Sequence, residues 1–209
     1  MSFSPILNAD ADSITEAVGV LREGGVIAYP TETLYGLGGL ASREEVVRRV
    51  LAIKNRGPEK PLPLIVADEE AAQENAEMSA AAEELARLFW PGPLTMILKA
   101  RRPFPQGAAL AVKIALRVSS HPVAQTLARR LDQAILATSA NLTGQPGAVL
   151  ASEVRDSLSE NPPDLILAQD PCPGGAGSTI VDLTVAPPRI VRAGAIPASE
   201  LEEFIKGWA

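Results

Sequence analysis

The residues best suited to chemistry fall between Tyr29 and Lys60. The string YPTETLYGLG sets Thr31, Glu32, Thr33 and Tyr35 in a loop bounded by a proline and by flexible glycines. Hydroxyls and a carboxylate grouped in this way can hydrogen-bond an amine, a hydroxyl or a metal-bound phosphate. The run KNRGPEKPLPLIV then supplies Lys54, Arg56 and Lys60 at the entrance to a strand. One forked guanidinium and two ammonium point charges suit a triphosphate. Lys54 and Arg56 also stand at a helix end, where they would complement its dipole without any ligand. Arg117 closes the apolar VKIAL, a costly place for a charge unless an anion or a structural ion pair meets it. Ser139 and Asn141 follow AILAT at a polar turn, and Ser178 and Thr179 follow PGGAG. A glycine-rich loop of that kind lets backbone N–H groups approach an oxyanion.

Two common phosphate signatures do not explain these residues. Gly36-Leu-Gly38-Gly-Leu-Ala41 fits G-x-G-x-x-A, but PTETLY separates it from the preceding strand, whereas a dinucleotide fold needs the turn at once. No G-x-x-x-x-G-K-[ST] occurs, so any triphosphate is held by side chains and other turns.

The elements that must position these groups read as helix and strand in alternation. Asp12 or Ser13 caps a helix through Leu21 that ends at Gly24, and residues 25–29 form a buried strand. Ser42 and Glu45 make a capping box for a helix to about Lys54. Further helices are expected at 69–76, 80–89, 123–131 and 153–158, with a last capping box at Ser199 and Glu202 before a helix that stops at Gly207. Strands are expected at 62–67, 94–100, 112–118, 134–138, 165–168, 179–183 and 189–192. The fold class is α/β, with one twisted, mixed sheet flanked by helices, because several connections are too short for a parallel crossover. Residues 1–209 form one domain, with no repeat and no domain-separating linker.

Composition narrows the function. A hydrophobic fraction of 46% supports a sizeable core. A net charge of −6 argues against a protein built mainly to grip nucleic acid. Base is concentrated at residues 43–60, which fits a small anionic ligand better than a long polyanion. One cysteine and one histidine exclude an intrachain disulfide and a structural Cys/His zinc site. No apolar run approaches the roughly 18 residues of a membrane helix, and MSFSPILNADADS is not a signal peptide, so the cytoplasm is the expected compartment. His121 reads as a helix-start residue, Cys172 as a passive thiol and Trp90 as a packing anchor.

YPTETLYGLG, the K-x-R of Lys54 and Arg56, KPL at Lys60, FWPGPLT, ALRVSSHP, TSANLTG, GSTIVDLT and IVRAGAI stand in the order that characterises one family. The chain resembles the YrdC family, the threonylcarbamoyl-AMP synthases of tRNA modification, over nearly its whole length. The resemblance implies condensation of L-threonine, bicarbonate or CO2, and ATP, with release of pyrophosphate. It also implies a concave, basic groove and Mg2+ accompanying ATP. Thr33, Arg117, Ala137 and Ser178 would hold threonine. Lys54, Arg56, Lys60, Lys113, Ser139, Asn141, Gly147 and Arg192 would surround ATP, with Lys54 and Arg56 as the catalytic cations and no protein metal ligand. The product would pass to a downstream tRNA threonylcarbamoyl-transfer complex.

Gly177, Thr138 and Gly147 depart from residues common in the family (glutamate, proline and serine), and no extra C-terminal domain is expected. An RNA-binding module using the same groove is the rival reading, and weak RNA binding could accompany the synthase. A carbamoyl-transfer domain of hydrogenase maturation and an inactive paralogue fit less well.

Overall fold

The computed structural model describes residues 4–207. The part of the N-terminal reading that rests on residues 1–3 therefore lies outside the description. In chain order the elements are β1 (Ile6–Asn8), α1 (Ala11–Arg22), β2 (Ile27–Tyr29), β3 (Gly36–Gly38), α2 (Glu44–Ile53), β4 (Leu64–Ile65), α3 (Glu69–Asn75), α4 (Ala80–Phe89) and β5 (Leu94–Lys99). There follow β6 (Lys113–Arg117), α5 (Pro122–Leu131), β7 (Ile135–Leu136), β8 (Thr138–Ser139), α6 (Ala151–Ser157), β9 (Leu165–Ala168), β10 (Thr179–Asp182), β11 (Arg189–Arg192) and α7 (Ala198–Gly207).

The strands form two mixed sheets rather than the single sheet expected. One runs β1-β9-β2-β3-β8 and the other β11-β10-β5-β6-β4-β7. The division is made at Ala137, between β7 and β8, where the flanking Leu136 and Thr138 pair into different sheets. Short pairings explain why periodicity missed this: β4, β7 and β8 have two residues each, too few to show alternation. β3 was also missed, because Gly-Leu-Gly has little strand propensity of its own.

Glycine is nevertheless required there. A Cβ on Gly38 would lie 1.7 Å from the carbonyl oxygen of Leu136, which is backbone and cannot step aside. Gly38→Ala is therefore expected to destabilise the protein by about 1–3 kcal/mol or more, read as a lowered urea midpoint. Gly144→Ala, where a Cβ meets nothing within 4 Å but φ is +88°, provides a comparison in which backbone conformation alone is at issue.

Helix burial follows the apolar positions. Val46, Val47, Val50 and Leu51 of α2 are buried in the larger core, and Ala17, Val18 and Leu21 of α1 meet Val123, Leu127 and Leu131 of α5 in the second. Three expected caps are not formed. α1 is capped by Asp10, whose carboxylate accepts from Ser13 N at 2.9 Å. α2 starts from Arg43 without a side-chain cap, because Leu40 bridges Ile135 and Ser42 turns its hydroxyl to Gln133. Glu44 and Glu45 in its first turn instead complement the dipole. α7 opens directly after Pro197, which puts Ser199 inside its first turn. His121 caps α5, with Nδ1 accepting from Val123 N at 3.3 Å ahead of Pro122. Trp90 is buried and donates from Nε1 to Leu94 O at 2.7 Å.

Candidate functional site

A cavity of about 690 Å3 opens between the two sheets. The β2–β3 turn forms one wall. Thr31 Oγ1 donates to Leu34 O at 2.6 Å, accepts from Thr33 N and lies 3.2 Å from Thr33 Oγ1. This self-closed turn fixes Thr33 on the cavity wall, and Thr33 O accepts from Gly174 N of the glycine-rich loop. Tyr35 is braced from behind, donating to Asp170 Oδ1 at 2.5 Å.

The second wall begins where α2 ends. Asn55 adopts a left-handed conformation at φ 48°, one that asparagine tolerates better than most residues, and the chain reverses there. Arg56 then reaches the cavity, its Nε donating to Lys60 O at 3.1 Å and Nη2 to Pro61 O at 3.3 Å. Glu59 and Lys60 line the same rim. Lys54 goes elsewhere. Its ammonium is buried and donates to Ser139 O, to Asn141 O at 2.7 Å and weakly to Asn141 Oδ1 at 3.4 Å. Lys54 thus braces from inside the turn whose outer face presents Ser139 to the cavity. Burial, and secondarily Arg56, push its ammonium down to about 8.

The six-stranded sheet supplies the rest. β6 presents Ala115 and Arg117 to the cavity and buries Ile114 and Leu116 behind. Arg117 is 5% exposed, and its Nη1 lies 3.1 Å from Oε1 of Glu32. Ser178 Oγ sits 2.8 Å from Thr95 Oγ1, and its carbonyl accepts from Arg192 Nε at 3.1 Å and Nη2 at 2.6 Å. Gly194 allows this approach, since a Cβ there would meet Gly177 O at 2.2 Å. Burial, Arg117 and Arg56 together hold the Arg192 guanidinium below its ordinary range, so the three cations share one electrostatic space.

Of the residues singled out in the sequence, Thr33, Arg56, Lys60, Arg117, Ala137, Ser139, Ser178 and Arg192 line the cavity together. Lys54, Lys113, Asn141 and Gly147 do not. Lys113 pairs with Asp182 at 3.7 Å. Asn141 spends its amide on Leu142 O and Gln145 O. Gly147 packs on Leu34, whose Cδ1 a Cβ would approach to 2.5 Å. Sequence reasoning overlooked Thr95 and the pairing of Glu32 with Arg117. Nothing local in the sequence signalled that Glu32 would meet Arg117. Cys172 is buried, with its thiol raised to about 11 by burial, and stays outside the cavity.

Among apolar residues such as Leu34, Ile97, Ile180 and Val191, the polar side chains lining the cavity are hydroxyls and cations, with Glu59 the one carboxylate among the described lining residues. Such a set of side chains can neutralise and orient an anion by position and charge. No cluster of three or more His, Cys, Asp or Glu that could hold a metal occurs among the described residues. No helix among them is long and apolar enough to cross a membrane.

The chain is similar to known proteins in sequence and in fold. A family model described as Sua5/YciO/YrdC, telomere recombination, matches residues 19–194. The chain is 36% identical over 191 residues to the threonylcarbamoyl-AMP synthase of Pyrococcus abyssi, covering 90% of this chain and 56% of that protein. It is 32% identical over 204 residues to that of Bacillus subtilis, covering 95% and 58%. The chain therefore spans little more than half the length of these two relatives. Its fold superposes with a TM-score of 0.90 on the crystal structure of P. abyssi Sua5 complexed with L-threonine, at 34% identity, covering 97% of this chain and 61% of that one.

Proposed function

The chain belongs to the Sua5/YciO/YrdC family, and on that basis we propose that residues 1–209 form one L-threonylcarbamoyladenylate synthase domain, acting in the cytoplasm. The observation that carries this reading is the convergence of Arg56, Arg117 and Arg192 with Thr33, Ser139 and Ser178 on one cavity. Threonine offers a carboxylate for a guanidinium fork and a hydroxyl and amine for small polar groups, and ATP offers a polyanion.

In this reading Arg117 holds the threonine carboxylate, with Thr33 and Ser178 at its other polar atoms and Ala137 leaving room for its side chain. Arg56, Lys60 and Arg192 face the triphosphate, and Ser139 adds a hydroxyl. Lys54 and Asn141 act through the Ser139–Thr143 turn that they brace, so Lys54 serves catalysis by holding that turn in place. Lys113 and Gly147 have no direct part.

The amine and CO2 combine to a carbamate without an enzymatic base. A carbamate oxygen then displaces pyrophosphate at the α-phosphorus, and developing negative charge is met by the fixed cations. Glu59, the carboxylate among the described lining residues, would be the side chain available to Mg2+ accompanying ATP, which would supply further neutralisation of phosphate charge. The threonylcarbamoyl-adenylate would pass to a complex that transfers it to tRNA.

The test is pyrophosphate release from ATP with L-threonine and bicarbonate, each omitted in turn. Release is expected only when all three are present. Release that proceeds without threonine would remove the proposal.

A further inference from the structure

A buried carboxylate stands behind Arg117 with no part in the reaction as described. Glu32 comes from the β2–β3 turn, its side chain 12% exposed, and it does not line the cavity. Its Oε1 lies 3.1 Å from Arg117 Nη1 but is not aligned to accept a hydrogen bond, so charge alone joins them. Its Oε2 accepts from Ser119 Oγ, and Ser119 Oγ accepts in turn from His121 N at 3.2 Å. Ser119 is wholly buried. The carboxylate thus ties the turn carrying Thr33 to the end of β6 and the start of α5.

We propose that Glu32 is a positioning residue for the amino-acid substrate: it holds one end of the Arg117 guanidinium from behind, so that the remaining N–H groups of the fork face the cavity. This rests on the reading of Arg117 as the partner of the threonine carboxylate. The physical need is plain in the cavity itself. Arg117 and Arg56 both repel Arg192 across it, and an Arg117 guanidinium without a fixed counter-charge would turn away from Arg192. Glu32 opposes that displacement, and Ser119 keeps Glu32 from following Arg117 into the cavity. The opposite role is equally concrete: a carboxylate on Arg117 could instead compete with the carboxylate of threonine. The two roles predict effects of opposite sign.

Glu32→Gln keeps the shape and removes the charge, and Ser119→Ala is the milder variant. Each is compared with wild type in pyrophosphate release and in calorimetric binding of L-threonine, with melting temperatures measured alongside. The wild type reports on the underlying reading: release there that ignores threonine removes the premise, whatever the variants do. With wild type threonine-dependent, KM and Kd for threonine are expected to rise about tenfold in Glu32→Gln and roughly threefold in Ser119→Ala. The KM for ATP and kcat at saturating threonine are expected to stay within about twofold. A merely structural role would lower the melting temperature without weakening threonine binding by the folded protein. Unchanged or tighter threonine binding, or an equal rise in the ATP KM, overturns the proposal. Should Glu32→Gln fail to fold, Ser119→Ala decides by the same criteria.

Discussion

Replacing Arg117 by alanine is expected to cut threonine-dependent pyrophosphate release about a hundredfold or more, the scale of truncating one member of a buried charge pair. Two losses combine. The cavity loses the fork that would take the threonine carboxylate, and Glu32 is left as a charge buried without its partner. The second loss lowers stability by about 3–5 kcal/mol, which would confuse a simple activity assay. A second variant separates them. Changing Arg117 to Met together with Glu32 to Leu removes both charges and keeps the volume, so stability should return towards wild type. Turnover should not return. Urea denaturation and pyrophosphate release measured on both variants check this pair of outcomes, and recovery of turnover in the double variant would show that Arg117 does not hold the substrate.

Lys54→Met is the second large effect, and it acts from outside the cavity. The ammonium satisfies Ser139 O and Asn141 O, and each carbonyl left buried without a donor costs about 1–3 kcal/mol. The Ser139–Asn141 turn would then loosen, and misplacement of about 1 Å at a reacting site can cost on the order of a hundredfold in rate. A pH dependence accompanies it. The folded-state value of about 8 lies below the ordinary 10.5, so the folded protein binds this proton more weakly than the unfolded chain. The cost of the buried charge is therefore full below pH 8 and disappears as pH rises through 10.5. The stability difference between wild type and Lys54→Met should shift in favour of wild type across that window. Turnover moves the other way, because a neutral amine has two donors in place of three. The wild type should show an alkaline limb near pH 8 that Lys54→Met lacks. A limb retained in the variant would assign it to another group.

The two halves of the site differ in how far they could be read. The segment from Tyr29 to Lys60 announces itself, because a loop of hydroxyls and a cluster of cations stand close together in the chain. Thr33, Arg56 and Lys60 could be singled out on residue type and spacing alone, and all three reach the cavity. Lys54 could be singled out as well, but its direction could not. Lys54, Arg56 and Lys60 read equally well as three cations on a phosphate or as one brace and two ligands. Only the position of the Ser139–Asn141 carbonyls, contributed by β8 and the turn after it, decides for the brace. Lys113 is similar: it shares a strand face with Arg117 and is withdrawn by Asp182 of β10.

The helices, the longer strands and the mixed character of the fold were likewise legible, since they depend on apolar periodicity and breakers within one segment. What local pattern cannot contain is pairing between distant segments. The split into two sheets depends on which partners Leu136 and Thr138 find, β4 for one and β3 for the other. Gly38 has its meaning only because Leu136 O lies against it. Glu32 and Arg117 meet across 85 residues of chain, and no spacing rule links them. The sequence by itself determined which chemistry was present: cations and hydroxyls for anionic substrates, carried on α/β elements. The tertiary structure decided which of those groups face the cavity and which support it, because direction and partner are set by packing between segments that are remote in the chain.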